Sequence, residues 1–216
     1  MKNRIRQLPL LSLLLVVLSG CVTIAGKNLE PISPPPPERH GTVEYTIGDF
    51  AFTLDGGKMI SSTKAGRILT DNILKRWKKS GYIDDYTYVK SGDFTGNADY
   101  QLTLSGSQYG ESSIAMQILS GLTLLVLPNS TNVKYDIQYV LEDVASGSRY
   151  SAAVQDSYKE WTELLLIVAL PVSARGANAT MNVMADHAYD QLREKGAFSS
   201  RAALRDPDPR TMPSGS

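Results

Sequence analysis

The sequence predicts an α+β fold: a mixed or antiparallel sheet with two helices packed on one face. Three observations point to it. Strict alternation of apolar and polar residues recurs in several stretches between residues 42 and 158. Two other stretches, one after Ser62 and one after Asn178, place apolar residues at helical spacing. The resulting order is strand, helix, strand, strand, strand pair, helix, which is that of an α+β domain.

The elements follow in turn. Val43, Tyr45 and Ile47 alternate with Thr42, Glu44 and Thr46, and Phe50, Phe52 and Leu54 resume the pattern after Gly48-Asp49. Residues 42–54 therefore form a strand, with a bulge expected at Gly48. Asp55-Gly56-Gly57 is a turn. Ser61 or Ser62 is placed to cap a helix whose buried stripe is Ala65, Ile68, Leu69, Ile73 and Trp77. Lys75, Arg76, Lys78 and Lys79 fall in its last turns, where cations suit the helix dipole, and Gly81 is a fitting stop. Residues 82–89 read as a short strand with Tyr86 and Tyr88 on one face, and 91–97 as a loop. Tyr100, Leu102 and Leu104 alternate with polar residues in a half-buried strand. Val133, Tyr135, Ile137, Tyr139 and Leu141 form the clearest strand, which Ser146-Gly147 turns into Tyr150, Ala152 and Val154. Residues 178–195 read as the second helix, with Met181, Met184, Ala188 and Leu192 on one stripe, Asn178 at its start and Gly196 past its end.

The 216 residues hold 22 basic and 22 acidic side chains, a balance that argues against nucleic-acid binding. The charges are unevenly spread. Lys2, Arg4 and Arg6 precede any acid, so the rest of the chain is mildly acidic, with 19 basic and 22 acidic residues. A basic start, an apolar stretch over residues 10–18 and a small-residue exit make a secretory signal, too short to span a bilayer as a helix. Leu18-Ser19-Gly20-Cys21 resembles a bacterial lipobox. That resemblance implies cleavage between Gly20 and Cys21, and a lipid on the Cys21 thiol. Val22, where Asp would imply inner-membrane retention, implies outer-membrane delivery. The expected division is a signal peptide over 1–20, a lipidated Cys and Pro-rich tether over 21–41, an α+β domain over 42–200 and a disordered tail over 201–216. Pro31 and Pro34 to Pro37 favour extended polyproline II, which as a free tether would reach up to roughly 60 Å.

Two segments do not fit an alternating sheet. Residues 114–127 are apolar except for Gln117, Ser120, Gly121 and Thr123, and residues 164–170 are apolar throughout. They flank the 133–158 hairpin, whose open ends lie side by side, so both should emerge at one end of the sheet. One reading makes them buried strands or short helices of the core. The other makes them an apolar surface that meets the membrane or a partner through Leu122, Leu124, Leu127, Trp161, Leu165 and Ile167. Ser120-Gly121-Leu122-Thr123-Leu124 to Pro128, Ser146-Gly147, and Trp161 to Pro171 together resemble a group of uncharacterised bacterial outer-membrane lipoproteins over about residues 110–195. The resemblance implies lipid anchoring and transfers no catalytic residue.

Signals for chemistry are sparse. There are two histidines, His40 and His187, and one cysteine. No nucleophile elbow, zinc-protease or phosphate-loop motif is present. Hence no enzyme activity, metal or cofactor is expected. Eleven tyrosines against four phenylalanines suit partly wet surfaces. The expected role is a periplasm-facing, lipid-anchored envelope accessory that binds protein or lipid partners without catalysis. The alternative is a lipid- or small-ligand-binding module with segments 114–127 and 164–170 as its pocket.

Overall fold

A computed structural model describes residues 20–25, 29–53, 57–90, 93–112, 118, 122, 129–163 and 170–199. The strands are β1 (Gly20–Ala25), β2 (Thr42–Thr53), β3 (Ile60–Ser61), β4 (Asp85–Tyr88), β5 (Tyr100–Ser112), β6 (Asn129–Asp143) and β7 (Arg149–Glu163). The helices are α1 (Thr63–Lys79) and α2 (Leu170–Glu194). The strands form one sheet in the order β1-β7-β6-β5-β2-β3, with β4 also on β2. Pairing of β2 with β5 and with β4 is parallel, and the rest is antiparallel. Parallel neighbours need a long crossover, which α1 and β4 supply between β2 and β5. The predicted mixed sheet with two helices is thus the observed one.

One face of the sheet carries the core. Val43, Tyr45 and Ile47 lie in register with Tyr100, Leu102 and Leu104, and Leu102 and Leu104 with Leu141 and Tyr139. All of these are buried, with Ala152 and Val154 completing the layer on β7. Leu69, Ile73, Leu74 and Trp77 of α1 and Met184, Ala185, Ala188, Tyr189 and Leu192 of α2 close over it. The register of β2 against β5 jumps between Ile47 and Phe50, so the expected bulge at Gly48 is present. Ser62 caps α1, its side chain accepting from the Ala65 amide, and Gly81 follows its end in the left-handed region.

Five expectations need correction. Ile68 is 56% exposed. At 3.6 residues per turn, Gly66, Leu69, Thr70, Ile73 and Trp77 define the buried stripe, and Ile68 falls on the far side of it. The second helix begins at Leu170 rather than at 178. Pro171, read as the end of an apolar run, sits in the first turn, where proline is tolerated because its missing N–H would have no helical partner. The short strand expected over 82–89 is confined to Asp85–Tyr88, because Tyr82 turns into the core and stacks on Tyr189 with ring centres 3.8 Å apart. The tyrosines are also less wet than their chemistry suggests. Tyr45, Tyr100, Tyr139 and Tyr189 are fully buried, and burial pushes the Tyr100 hydroxyl up to about 12. Residues 54–56 and 91–92 of the expected turn and loop lie outside the described residues.

The proline-rich segment departs most from expectation. Residues 29–41, read as part of a free tether, lie along α2 and the turn that follows it. The Glu30 carbonyl is 2.8 Å from His187 Nε2, and the Pro35 carbonyl accepts from the Tyr189 hydroxyl at 3.2 Å. Leu29 packs on the core and Pro37 is buried. Polyproline II makes no internal hydrogen bonds, so its carbonyls are open to such partners. At the segment's end the Arg39 amide donates to the Phe198 carbonyl at 3.0 Å. The Arg39 guanidinium bridges Asp99 and Asp143, both at 2.9 Å.

This clasp makes a pH prediction. Hydrogen bonds from the Thr42 amide, then from the Arg39 guanidinium, hold Asp99 below the usual carboxylate value of 3.8. A depressed folded pKa stabilises the clasp at pH above 3.8, and that contribution fades as pH falls through the lower folded value. Acid titration followed by NMR should therefore move the Thr42 and Arg39 amide signals together, below pH 3.8. Asp99→Asn should show the loosened signals already at neutral pH.

Candidate functional site

The register of the sheet brings the distant chemistry of the sequence to one end. β5 ends at Ser112, which faces Thr131 near the start of β6. β6 starts at Asn129 opposite Thr162, and β7 ends at Glu163. β1 runs antiparallel to β7, so its first residues meet the last of β7, with Gly20 facing Glu163 and Cys21 facing Thr162. Cys21, Thr162 and Asn129 thus lie in one row across three strands. At the usual spacing of about 4.8 Å per strand, the Cys21 backbone is roughly 10 Å from that of Asn129. The described strand ends that adjoin residues 113–128 and 164–169, namely Ser112, Asn129 and Glu163, all lie at this same end.

Two side chains of the first apolar segment are described. Ile118 is 60% and Leu122 is 76% exposed. Outward aliphatic groups of this size each gain about 1.5–3 kcal/mol when removed from water. Trp161 sits on β7 opposite Val22 and Ser130, one residue before the partner of Cys21. Leu124, Leu127, Leu165 and Ile167 lie outside the described residues. No described helix is long and apolar enough to cross a membrane.

The other sequence candidates are engaged elsewhere. Asp186, beside His187 in the chain, is held by Arg76 through bonds of 3.1 and 2.8 Å, and Asp190 by Arg193 at 2.7 Å. Asp85 binds Lys78 at 2.9 Å, while Asp84 lies 3.9 Å from His40. Among the described residues, no group of three His, Cys, Asp or Glu side chains is placed to hold a metal ion. Sequence reasoning missed Ile118 as an individual exposed residue and missed β1 altogether. The alternation Val22-Thr23-Ile24 was the available signal for β1, overshadowed by the prolines after it.

Fold and register together define a small α+β domain whose own N-terminal segment is its edge strand and strap. No protein-family model and no curated protein matches the sequence. Among solved structures, a dodecamer of a PelC variant from Paraburkholderia phytofirmans is similar at 13% identity, covering 81% of this chain and 97% of that one, with a TM-score of 0.33. A neuraminyllactose-binding hemagglutinin homologue from Helicobacter pylori is similar at 10% identity, with 80% and 89% coverage and a TM-score of 0.34. A DUF330 protein from Xanthomonas campestris is similar at 11% identity, with 77% and 89% coverage and a TM-score of 0.30. All three are bacterial proteins, and at these values each is a partial likeness.

Proposed function

We propose that the protein is an outer-membrane lipoprotein, anchored through Cys21 and facing the periplasm, that serves the cell envelope as a non-enzymatic accessory binding protein or lipid partners. The observation that supports this reading is the row Cys21–Thr162–Asn129, in which Cys21 stands beside the strand ends that adjoin the apolar segments 114–127 and 164–170. A triacylated cysteine anchors far more firmly than a single acyl chain. With Cys21 as the first residue of the mature chain, the lipid leaves directly from an edge strand. The docked 29–41 segment does not act as a long spacer. The anchored end of the sheet is then held against the bilayer, where Ile118 and Leu122 can enter the interface. Their exposure favours an outward apolar surface over the enclosed pocket of the ligand-binding alternative. The non-enzymatic part of the reading rests on the engagement of His187, Asp186 and Asp190 in structural contacts.

The test separates anchor from surface. Cys21→Ser should move the protein from the membrane to the soluble fraction of lysed cells. Persistence at the membrane in full amount would sink the anchoring role. The purified Cys21→Ser chain should still float weakly with lipid vesicles. Leu122→Asp should reduce that flotation by about tenfold or more, the size of one lost aliphatic insertion. Equal flotation of the two would remove Leu122 from the contact.

A further inference from the structure

A cleft of about 330 Å³ opens between the two helices, on the flank away from the sheet. Asn72, Lys75, Arg76 and Lys79 line it from α1, and Asn178, Met181 and Asn182 from α2. Its volume is at the small end of ligand sites. Its charge is not explained by the fold. Arg76 is neutralised by the bidentate bond to Asp186 that ties α1 to α2, and Lys78 is turned to Asp85. Lys75 and Lys79 remain. They are exposed, lie one turn apart on one side of α1, and neither forms an ion pair among the described residues. Among the described residues, no carboxylate lines the cleft. Like charges at this spacing oppose each other by a few tenths of a kcal/mol, about 0.2–0.5, and an anion between them turns that opposition into attraction. Facing carboxamides bring N–H₂ donors and no charge of their own.

We infer that this cleft binds a phosphomonoester dianion, either a soluble phosphomonoester or the terminal phosphomonoester of a lipid headgroup. The ammonium groups of Lys75 and Lys79 hold the charge, and Asn72 and Asn182 donate to the remaining oxygens. A carboxylate monoanion would balance the charge of only one of the two lysines. The last turn of α1 lies near Gly41, at the start of β2, whereas Cys21 lies at the sheet end where β5 finishes. The cleft is therefore distinct from the anchored end, and its occupancy does not depend on lipidation of Cys21.

The full chain, extracted in detergent, is titrated with inorganic phosphate and followed by NMR. Saturable binding is expected, weakening as salt is raised because the two lysines are exposed. Lys75→Gln and Lys79→Gln should each weaken it about tenfold, the size of one charge-assisted hydrogen bond. Lys58→Gln, at an exposed lysine outside the cleft, should leave it unchanged. A second arm floats the Cys21→Ser chain with phosphatidylcholine vesicles with and without phosphatidic acid. Flotation that requires both phosphatidic acid and the two lysines identifies a headgroup as the source. Phosphate binding with no such flotation identifies a soluble ligand. Absence of saturable phosphate binding, or equal binding by the Lys75→Gln/Lys79→Gln variant with its melting temperature unchanged, overturns the proposal.

Discussion

Trp77→Ala is expected to lower the melting temperature by roughly 10–20 °C, at about 2–4 °C for each kcal/mol lost in a chain of this size. The indole is fully buried and joins four parts of the fold. It stacks on Tyr139 of β6 at 6.4 Å between ring centres, and meets Tyr189 of α2 edge-on at 6.2 Å. It meets Phe198, beyond the end of α2, edge-on at 6.3 Å. Its Nε1 donates to the Ala185 carbonyl at 2.7 Å. Truncation of a buried tryptophan costs about 3–5 kcal/mol through lost transfer energy and the cavity left behind, and the lost hydrogen bond adds about 1. Domains are stable by about 5–15 kcal/mol in total, so a substantial part of the chain would be unfolded at growth temperature. Trp77→Phe, which keeps a ring among Tyr139, Tyr189 and Phe198, should cost much less. Thermal melts of both variants check this. An alanine variant within a few degrees of the parent would show that the helices do not depend on this contact.

Local physics made much of this fold legible. The β6 and β7 strands were readable because one face is apolar and the other polar, and period two has no helical interpretation. Ser62, Gly81 and Gly147 were readable because each meets a local backbone demand. The misplaced side chain, Ile68, shows the limit of local reading. Two apolar stripes can be drawn on α1, and the buried one was decided by Gly66, whose missing side chain lets the helix approach Ile47 and Phe50. An added Cβ there would lie 2.7 Å from Ile47 Cγ2. No hydrophobicity pattern reports that a residue is buried because it is small.

The candidate site was legible in pieces only. The lipobox-like stretch Leu18-Ser19-Gly20-Cys21 is a local pattern, and hairpin geometry alone gave the expectation that segments 114–127 and 164–170 emerge at one end of the sheet. What joined Cys21 to them is the pairing of β1 with β7, between residues far apart in sequence. The strap is a similar case. Prolines indicate an extended segment without internal hydrogen bonds, and that is equally the requirement for a free spacer and for one docked through Pro35 and Arg39. The choice was made by Tyr189, Phe198, Asp99 and Asp143, none of which adjoins the segment in the chain. Lys75 and Lys79 were visible as a basic cluster from the start. Only the packing of α2 against α1 showed that Arg76 is neutralised and that these two lysines face a cleft.

Gly106→Ala is expected to be at least as damaging as the loss of Trp77, by a mechanism that no cavity argument covers. Gly106 has φ +145 in the middle of β5, in the range that side chains rarely adopt. A Cβ there would lie 2.1 Å from the Asp136 carbonyl oxygen and 3.0 Å from the Ile137 Cα of β6. Both obstacles are backbone, so no rotamer change relieves them. The strands themselves must separate or the register must slip, and slippage by one residue would turn every side chain of β6 to the wrong face. Across β2, Gly106 pairs with Phe50 at the bulge, so displacement of β5 also disturbs the contact of α1 with the sheet. A cost of about 4 kcal/mol or more is expected, in the range reserved for severe core lesions. The control is Gly147→Ala. That glycine also has a positive φ, +69, but an added Cβ would meet nothing within 4 Å. It should cost only about 1 kcal/mol, from backbone preference alone. The comparison is informative for function because β5 and β6 deliver Ser112 and Asn129 to the end of the sheet that holds Cys21. If Cys21 carries the proposed anchor, cells producing Gly106→Ala should keep the protein at the membrane, because that anchoring would depend on residues 1–21 and not on the fold, while the domain becomes sensitive to proteolysis. Gly147→Ala should remain both anchored and resistant. If Gly106→Ala melts within a degree or two of Gly147→Ala, the close approach of β5 and β6 at Asp136 is not a feature of the folded protein.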